Sequence, residues 1–237
     1  PINYIMDQAE IFESAKAGNL EALQKMLKGK ANINDTNKSG ASVLILATEK
    51  DHAEVVKFLV EEGADLNTET KMGGTALNRA AENGNLELVK YFIDKGAVIG
   101  DLALIAASRA GNLEVVKLLV ESGAPVDAQQ RWGHTALMLA AKSGNTDVVK
   151  YLIDEGANVK LRDKNGDTAM MIAMDNDQED IALILKRAGA KAETKPKKEV
   201  APIVDEDDDD EVDDSTPDVD ELVADDDDAP DDVDLDD

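Results

Sequence analysis

Apolar and polar positions between residues 75 and 97 fall into two short helical stripes. Leu77, Ala80 and Ala81 share one face of segment 76–83, and Leu86, Val89, Phe92 and Ile93 recur at helical spacing in the segment that follows. Thr75 suits an N-cap, because its hydroxyl can accept a hydrogen bond from an otherwise orphan backbone N–H. Gly84 tolerates positive φ and ends the first helix; Gly96 closes the second. Asn85 opens that second helix, with Glu87 in its favourable first turn and Lys90 beside Glu87 on the wet face. The pattern predicts two helices that meet through alanines. Such a pair has too little core to stand alone and must bury itself against neighbours.

The neighbours are in the chain. Gly63-Ala64 returns as Gly96-Ala97, Gly123-Ala124, Gly156-Ala157 and Gly189-Ala190, in steps of 33, 27, 33 and 33 residues. Gly84-Asn85, Gly111-Asn112 and Gly144-Asn145 keep the same steps. Self-similarity at this period predicts a stacked solenoid. Six units follow: 7–34, 35–67, 68–98, 99–127, 128–159 and 160–191. The first lacks a finger loop and carries Lys30 in its glycine slot; the sixth has Asp177 for the mid-repeat glycine and the cluster Met170, Met171 and Met174. Terminal units are expected to deviate.

The phrases Ser42-Val43-Leu44-Ile45-Leu46-Ala47, Thr75-Ala76-Leu77-Asn78-Arg79-Ala80, Thr135-Ala136-Leu137-Met138-Leu139-Ala140 and Thr168-Ala169-Met170-Met171-Ile172-Ala173 share one register. With Glu or Asp at 21, 54, 87, 114, 147 and 180 and the closing Gly-Ala, the unit resembles the ankyrin repeat over residues 8–191. The family's Thr-Pro-Leu-His-x-Ala phrase is matched without its proline and histidine. The resemblance implies an all-α solenoid of paired antiparallel helices with short β-turn fingers. It also implies a concave face, made by finger tips and the exposed side of each first helix, that holds a protein partner. Carried onto this chain, the finger positions are Lys38-Ser39, Lys71-Met72, Arg131-Trp132 and Lys164-Asn165, with His134 just beyond. The helix positions include Lys16, Lys50, Asn83, Arg109 and Lys142.

The 27-residue step removes the six residues that would form the fourth unit's finger. A gap in the finger row is therefore expected at the third-to-fourth junction, with Asp101 capping helix 102–110 and with Ile105, Ser108 and Arg109 on the exposed side of that helix. Packed helices lie about 8–10 Å apart, so the notch is of that order. A tolerated deletion would look the same in sequence. Arg79 stands where the other units carry Leu46, Ala106, Leu139 and Ile172, and it either reaches into the notch or snorkels to water. Trp132, the one tryptophan, sits at a finger tip, where it either meets a partner or packs on the next finger. The candidate partner-binding set is Lys71, Met72, Arg79, Ile105, Arg109, Arg131, Trp132, His134 and Lys142.

Charge changes the picture at one end. The net charge is -26, yet residues 193–237 hold 23 acidic and 3 basic residues, so the excess belongs to a tail following a 1–192 repeat domain. Positions 205–237 carry 21 acidic residues and no basic one. An aromatic-free, aspartate-rich chain buries too little surface to offset ordering entropy, so disorder is expected there. Three roles are open to it: a solubilising extension, a polyanion that occupies a basic protein or mimics nucleic acid, or a segment that folds back on the basic-leaning concave face. It lacks the glycine and terminal glutamate of a calcium loop.

Chemistry is scarce. With no cysteine and two distant histidines, His52 and His134, there is no metal-spaced cluster and no phosphate-binding glycine loop. The expectation is a non-enzyme with no cofactor, and sparse lysines without an aromatic platform argue against direct nucleic-acid binding. No signal peptide is seen before the first unit and no apolar run approaches about 20 residues, so no membrane contact and a cytoplasmic setting are expected, with the nucleus also open. The leading expectation is a protein-interaction module tuned by its acidic tail. The alternatives are a polyanionic inhibitor with the tail as effector, and an enzyme inhibitor that inserts the Arg131-Trp132 finger into a cleft.

Overall fold

The computed structural model describes residues 2–29 and 31–189. Lys30, the boundary at 192/193 and the acidic tail with its expected disorder lie outside the described residues. Among those described, twelve helices form six pairs: α1 (Ile2–Ala17) with α2 (Leu20–Lys28), α3 (Val43–Glu49) with α4 (Ala53–Glu61), α5 (Ala76–Glu82) with α6 (Leu86–Asp94), α7 (Asp101–Ala110) with α8 (Leu113–Glu121), α9 (Ala136–Lys142) with α10 (Thr146–Asp154), and α11 (Ala169–Asp175) with α12 (Glu179–Arg187). The first helices stack in one row from α1 to α11 and the second helices in another. Strand-like pairing among these residues amounts to two isolated bridges, Thr36 with Ser42 and Arg162 with Thr168, at the feet of two fingers.

The alanines explain the stacking. Ala47, Ala80, Ala107, Ala140 and Ala173 occupy one slot of successive first helices and are fully buried. A methyl there lets adjacent helices approach closely. The second helices supply the larger side chains: Val56 and Leu59, Val89 and Phe92, Val116 and Leu119, and Val149 and Leu152 are all inaccessible. In α6 the buried stripe is Leu88, Val89 and Phe92. Leu86, expected on that stripe, is the first residue of α6 and is exposed instead.

Capping follows the register. Ser42, Thr75, Thr135 and Thr168 each accept from the backbone N–H three residues on, at 3.2–3.4 Å. The fourth unit departs. Its cap slot holds Leu102, its N-cap is Gly100 with no side-chain bond, and Asp101 is the first helical residue rather than the cap. With no finger to end upstream, α7 starts earlier and runs 10 residues, against 7 for α3, α5, α9 and α11. Asp101 still places negative charge in the favourable first turn. The mid-repeat turn is left-handed throughout; Asp51 (φ 60°) and Asp177 (φ 59°) adopt it without being glycine.

Candidate partner-binding notch

Each finger is a four-residue turn. Gly40, Gly73, Gly133 and Gly166 donate to Asn37, Thr70, Gln130 and Asp163, at 2.7–3.0 Å. Adjacent fingers join through the backbone: Lys71 N–H donates to the Ser39 carbonyl (2.9 Å), and Lys164 N–H to the Trp132 carbonyl (3.0 Å). The rule is that the second residue of one finger donates to the third residue of the finger before it. A side chain added at Gly40 would come within 3.1 Å of Lys71 N, and at Gly133 within 2.9 Å of Lys164 N. At Gly73 it would meet the Leu102 side chain at 3.5 Å. The fourth unit has no finger. The outward acceptor of the third unit's finger, the Met72 carbonyl, and the inward donor of the fifth unit's finger, Arg131 N–H, make no hydrogen bond among the described residues.

A second tie is lost at the same place. At three of the four other junctions a side chain near the end of one unit accepts from the backbone of the next: Asn34 from Asp65 (2.9 Å), Asn67 from Val98 (2.8 Å) and Asp127 from Asn158 (2.9 Å). Between the third and fourth units the matching residues are Gly100, which has no side-chain acceptor, and Pro125, which has no N–H. What remains is a side-chain latch. Asn112 Nδ2 donates to the carbonyls of Ala81 (3.1 Å) and Glu82 (3.0 Å). Asn145 does the same to Ser108 and Arg109, both at 2.8 Å, and Asn83 to Thr48 and Glu49. Asn83 stands two residues before the slot of Asn112 and Asn145; that slot, filled by Asn85 in the third unit, reads in sequence as a helix opener, yet Asn85 too bridges units through Asp51.

The missing finger leaves two adjoining cavities. One, of about 320 Å³, lies over α5 and α7 and is lined by Lys71, Met72, Arg79, Glu82, Leu102, Ile105, Arg109, Arg131 and Trp132 among others. The other, of about 340 Å³, runs past Met72, Val98, Asp101, Leu102 and Arg131. Met72 (61 % exposed), Val98 (63 %) and Trp132 (50 %) border them. The Arg131 guanidinium lies 5.9 Å from the centroid of the Trp132 ring.

Charged groups pair along the floor. Arg79 meets Glu82 (3.2 Å) and Glu49 (3.7 Å), and Arg109 bonds Glu82 from the next unit. All four side chains are about one-third to one-half exposed, so each pair is worth only about 0–1 kcal/mol and is readily exchanged for another partner.

Seven of the nine candidate residues therefore line one cavity: Lys71, Met72, Arg79, Ile105, Arg109, Arg131 and Trp132. Two corrections follow. Ile105 (3 % exposed) and Ser108 (0 %) are buried rather than exposed. Their register explains it: the matching residues Ile45, Asn78 and Met138, and Thr48, Ala81 and Ala141, are buried in the second, third and fifth units, while the sixth unit leaves Met171 half-buried and Met174 exposed. Ile105 forms part of the floor. His134 lies outside the cavity, between the fifth and sixth fingers, with Nε2 3.2 Å from Asp163 and Nδ1 3.1 Å from Gln130. Lys142 is exposed at the end of α9, also outside it. Leu102 was missed; a leucine in the cap slot of Thr75 and Thr135 was the available signal. Among the described residues no group of three or more His, Asp or Glu is placed to hold a metal ion, and no helix is long and apolar enough to cross a membrane.

Residues 11–102 and 103–196 match the family described as "Ankyrin repeats (3 copies)". Among solved structures, the human ASB11 ankyrin repeat domain superposes with a TM-score of 0.68 at 25% identity, covering 78% of this chain and 85% of that one. Osteoclast-stimulating factor 1 of Monopterus albus is 36% identical over 67 residues, and that of Danio rerio 37% over 67. Each alignment covers 26% of this chain, which spans 31% of the length of these curated relatives.

Proposed function

Because this chain belongs to the ankyrin-repeat family, whose repeats are in general protein–protein interaction modules, we propose that its concave face binds a protein partner with the notch at the centre of the contact. The observation that carries the reading is the placing of apolar exposure. Of the six large apolar side chains exposed among the described residues, Met72, Val98 and Trp132 border the two adjoining cavities. Clustered exposed apolar side chains beside exchangeable charges mark an interface, and tryptophan and arginine are over-represented among the residues that dominate binding energy. The reading is of a binding protein rather than a catalyst. Capture of partners by the full chain and by a Met72→Ala, Trp132→Ala double variant tests it. A partner retained equally by both would remove the notch from the contact.

A second reading rests on the 21 acidic and no basic residues at 205–237. Such a segment raises association rates with basic partners in a salt-dependent way, or acts as a polyanion that occupies a basic protein itself. Chain 1–192 separates these roles. A truncation that still captures the same partner, with a weaker salt dependence, assigns steering to the tail; loss of the partner makes the tail the effector.

A further inference from the structure

We propose that the notch receives an acidic β-turn of the partner protein, which takes the place of the missing finger. This rests on the partner-binding reading and specifies what enters.

Two residues on the cavity lining carry backbone groups with no hydrogen-bond partner among the described residues, the Met72 carbonyl and Arg131 N–H. In the finger ladder these groups are met by adjacent residues of one turn. The second residue donates backward, as Lys71 does to Ser39, and the third accepts forward, as Trp132 does from Lys164. One central dipeptide therefore satisfies both. A lone extended strand is too narrow. The limbs of a turn, at strand spacings of about 4.7–4.9 Å, occupy two such spacings, which matches a helix-pair interval of about 8–10 Å. The floor is apolar where the turn would rest, on Leu102 and Ile105, and Met72 and Trp132 form the walls. Main-chain bonds across a sheet-like edge give affinity, and side-chain pockets give specificity.

Charge selects the turn. The second finger position is basic in every finger of the chain: Lys38, Lys71, Arg131 and Lys164. A guest turn sits between Lys71 and Arg131, above Arg79 and Arg109. A carboxylate at its second position meets Lys71 and Arg131 on both sides, whereas a lysine is repelled by them and finds Glu82 below already paired with Arg79 and Arg109. That second residue is also not proline, which has no N–H to give Met72.

The test uses the full 237-residue chain and a disulfide-closed peptide, Cys-Asp-Glu-Asn-Gly-Asp-Cys. It copies the finger Asp163-Lys164-Asn165-Gly166-Asp167 with glutamate in the lysine position. Two companions replace that glutamate by lysine and by proline; proline at this position favours the turn itself. Binding is followed by amide and carbonyl NMR. The acidic peptide is expected to shift Arg131 N–H and the Met72 carbonyl, and to bind about tenfold more tightly than either companion. Inserting a copy of residues 68–73 after Gly100 builds a finger in place and is expected to abolish the shifts while the circular dichroism stays helical. No shift at about 1 mM peptide, shifts confined to other surfaces, or a proline peptide that binds equally well would overturn the proposal. Loss of partner capture in the Met72→Ala, Trp132→Ala variant alongside a non-binding peptide would leave the partner-binding reading standing and remove the turn. Peptide binding with no protein partner captured would do the reverse.

Discussion

Asn112→Ala puts the joint where the finger ladder is interrupted under test. Across the third-to-fourth junction the described polar ties are the two bonds from Asn112 Nδ2, at 3.1 and 3.0 Å, and the Arg109–Glu82 ion pair. A net worth of about 0.5–1.5 kcal/mol per hydrogen bond makes the substitution cost about 1–3 kcal/mol. The ion pair left behind is half-exposed and contributes about 0–1 kcal/mol. Repeat arrays are stabilised by nearest-neighbour interfaces, so loss at one interface separates the blocks on either side. Asn145→Ala is the control. It removes two bonds at 2.8 Å across the next junction, where the Asn158-to-Asp127 bond remains. Urea unfolding is followed by circular dichroism for all helices and by Trp132 fluorescence for the fifth unit. The parent is expected to give coincident transitions. Both variants are expected to lose similar stability, but only Asn112→Ala should pull the two probes apart. A loss below about 0.5 kcal/mol, or equal separation in Asn145→Ala, would refute the assignment of Asn112 as the principal polar tie of this joint.

Other outcomes are open to measurement. Asp177→Gly relieves a left-handed aspartate whose side chain makes no hydrogen bond among the described residues and should raise stability by about 1 kcal/mol in thermal unfolding, whereas Asp51→Gly also forfeits the Asn85-to-Asp51 bond and should gain less. Ala80→Leu forces a larger side chain into a fully buried slot between first helices and should cost about 1–3 kcal/mol in denaturant midpoint analysis. Thr135→Ala removes the cap on Met138 N–H and should cost about 1 kcal/mol. Trp132→Ala, half-exposed, should leave the melting temperature nearly unchanged yet weaken partner binding by about 2 kcal/mol or more, read by calorimetry with the captured partner.

Period and spacing carried most of the architecture. Alanine at 47, 80, 107, 140 and 173 and the recurring Gly-Ala were enough to predict paired helices, their order and the fingers, because each unit repeats the same local solution. The short step placed the notch. Sequence was weaker where side chains act across units. The Asn112 and Asn145 latches look like helix openers until the neighbouring carbonyls are in view. Ile105 and Ser108 were misplaced because α7 was read alone; aligning them with Ile45 and Thr48 would have buried them. Arg79 was ambiguous for a related reason: its partners, Glu49 and Glu82, belong to two different first helices.

The missing finger also has a mechanical consequence. Units one to three and four to six are each tied by fingers or unit-end bonds, while the joint between them rests on α5 against α7, one asparagine and one ion pair. The contact of α5 with α7 is nevertheless the most extensive between any two of the described helices. Load along the stack therefore passes through helix packing where the finger row is broken. The two layers are separable: helix packing sets the path of the solenoid, and the finger row can lose a member and open a recess without interrupting that path.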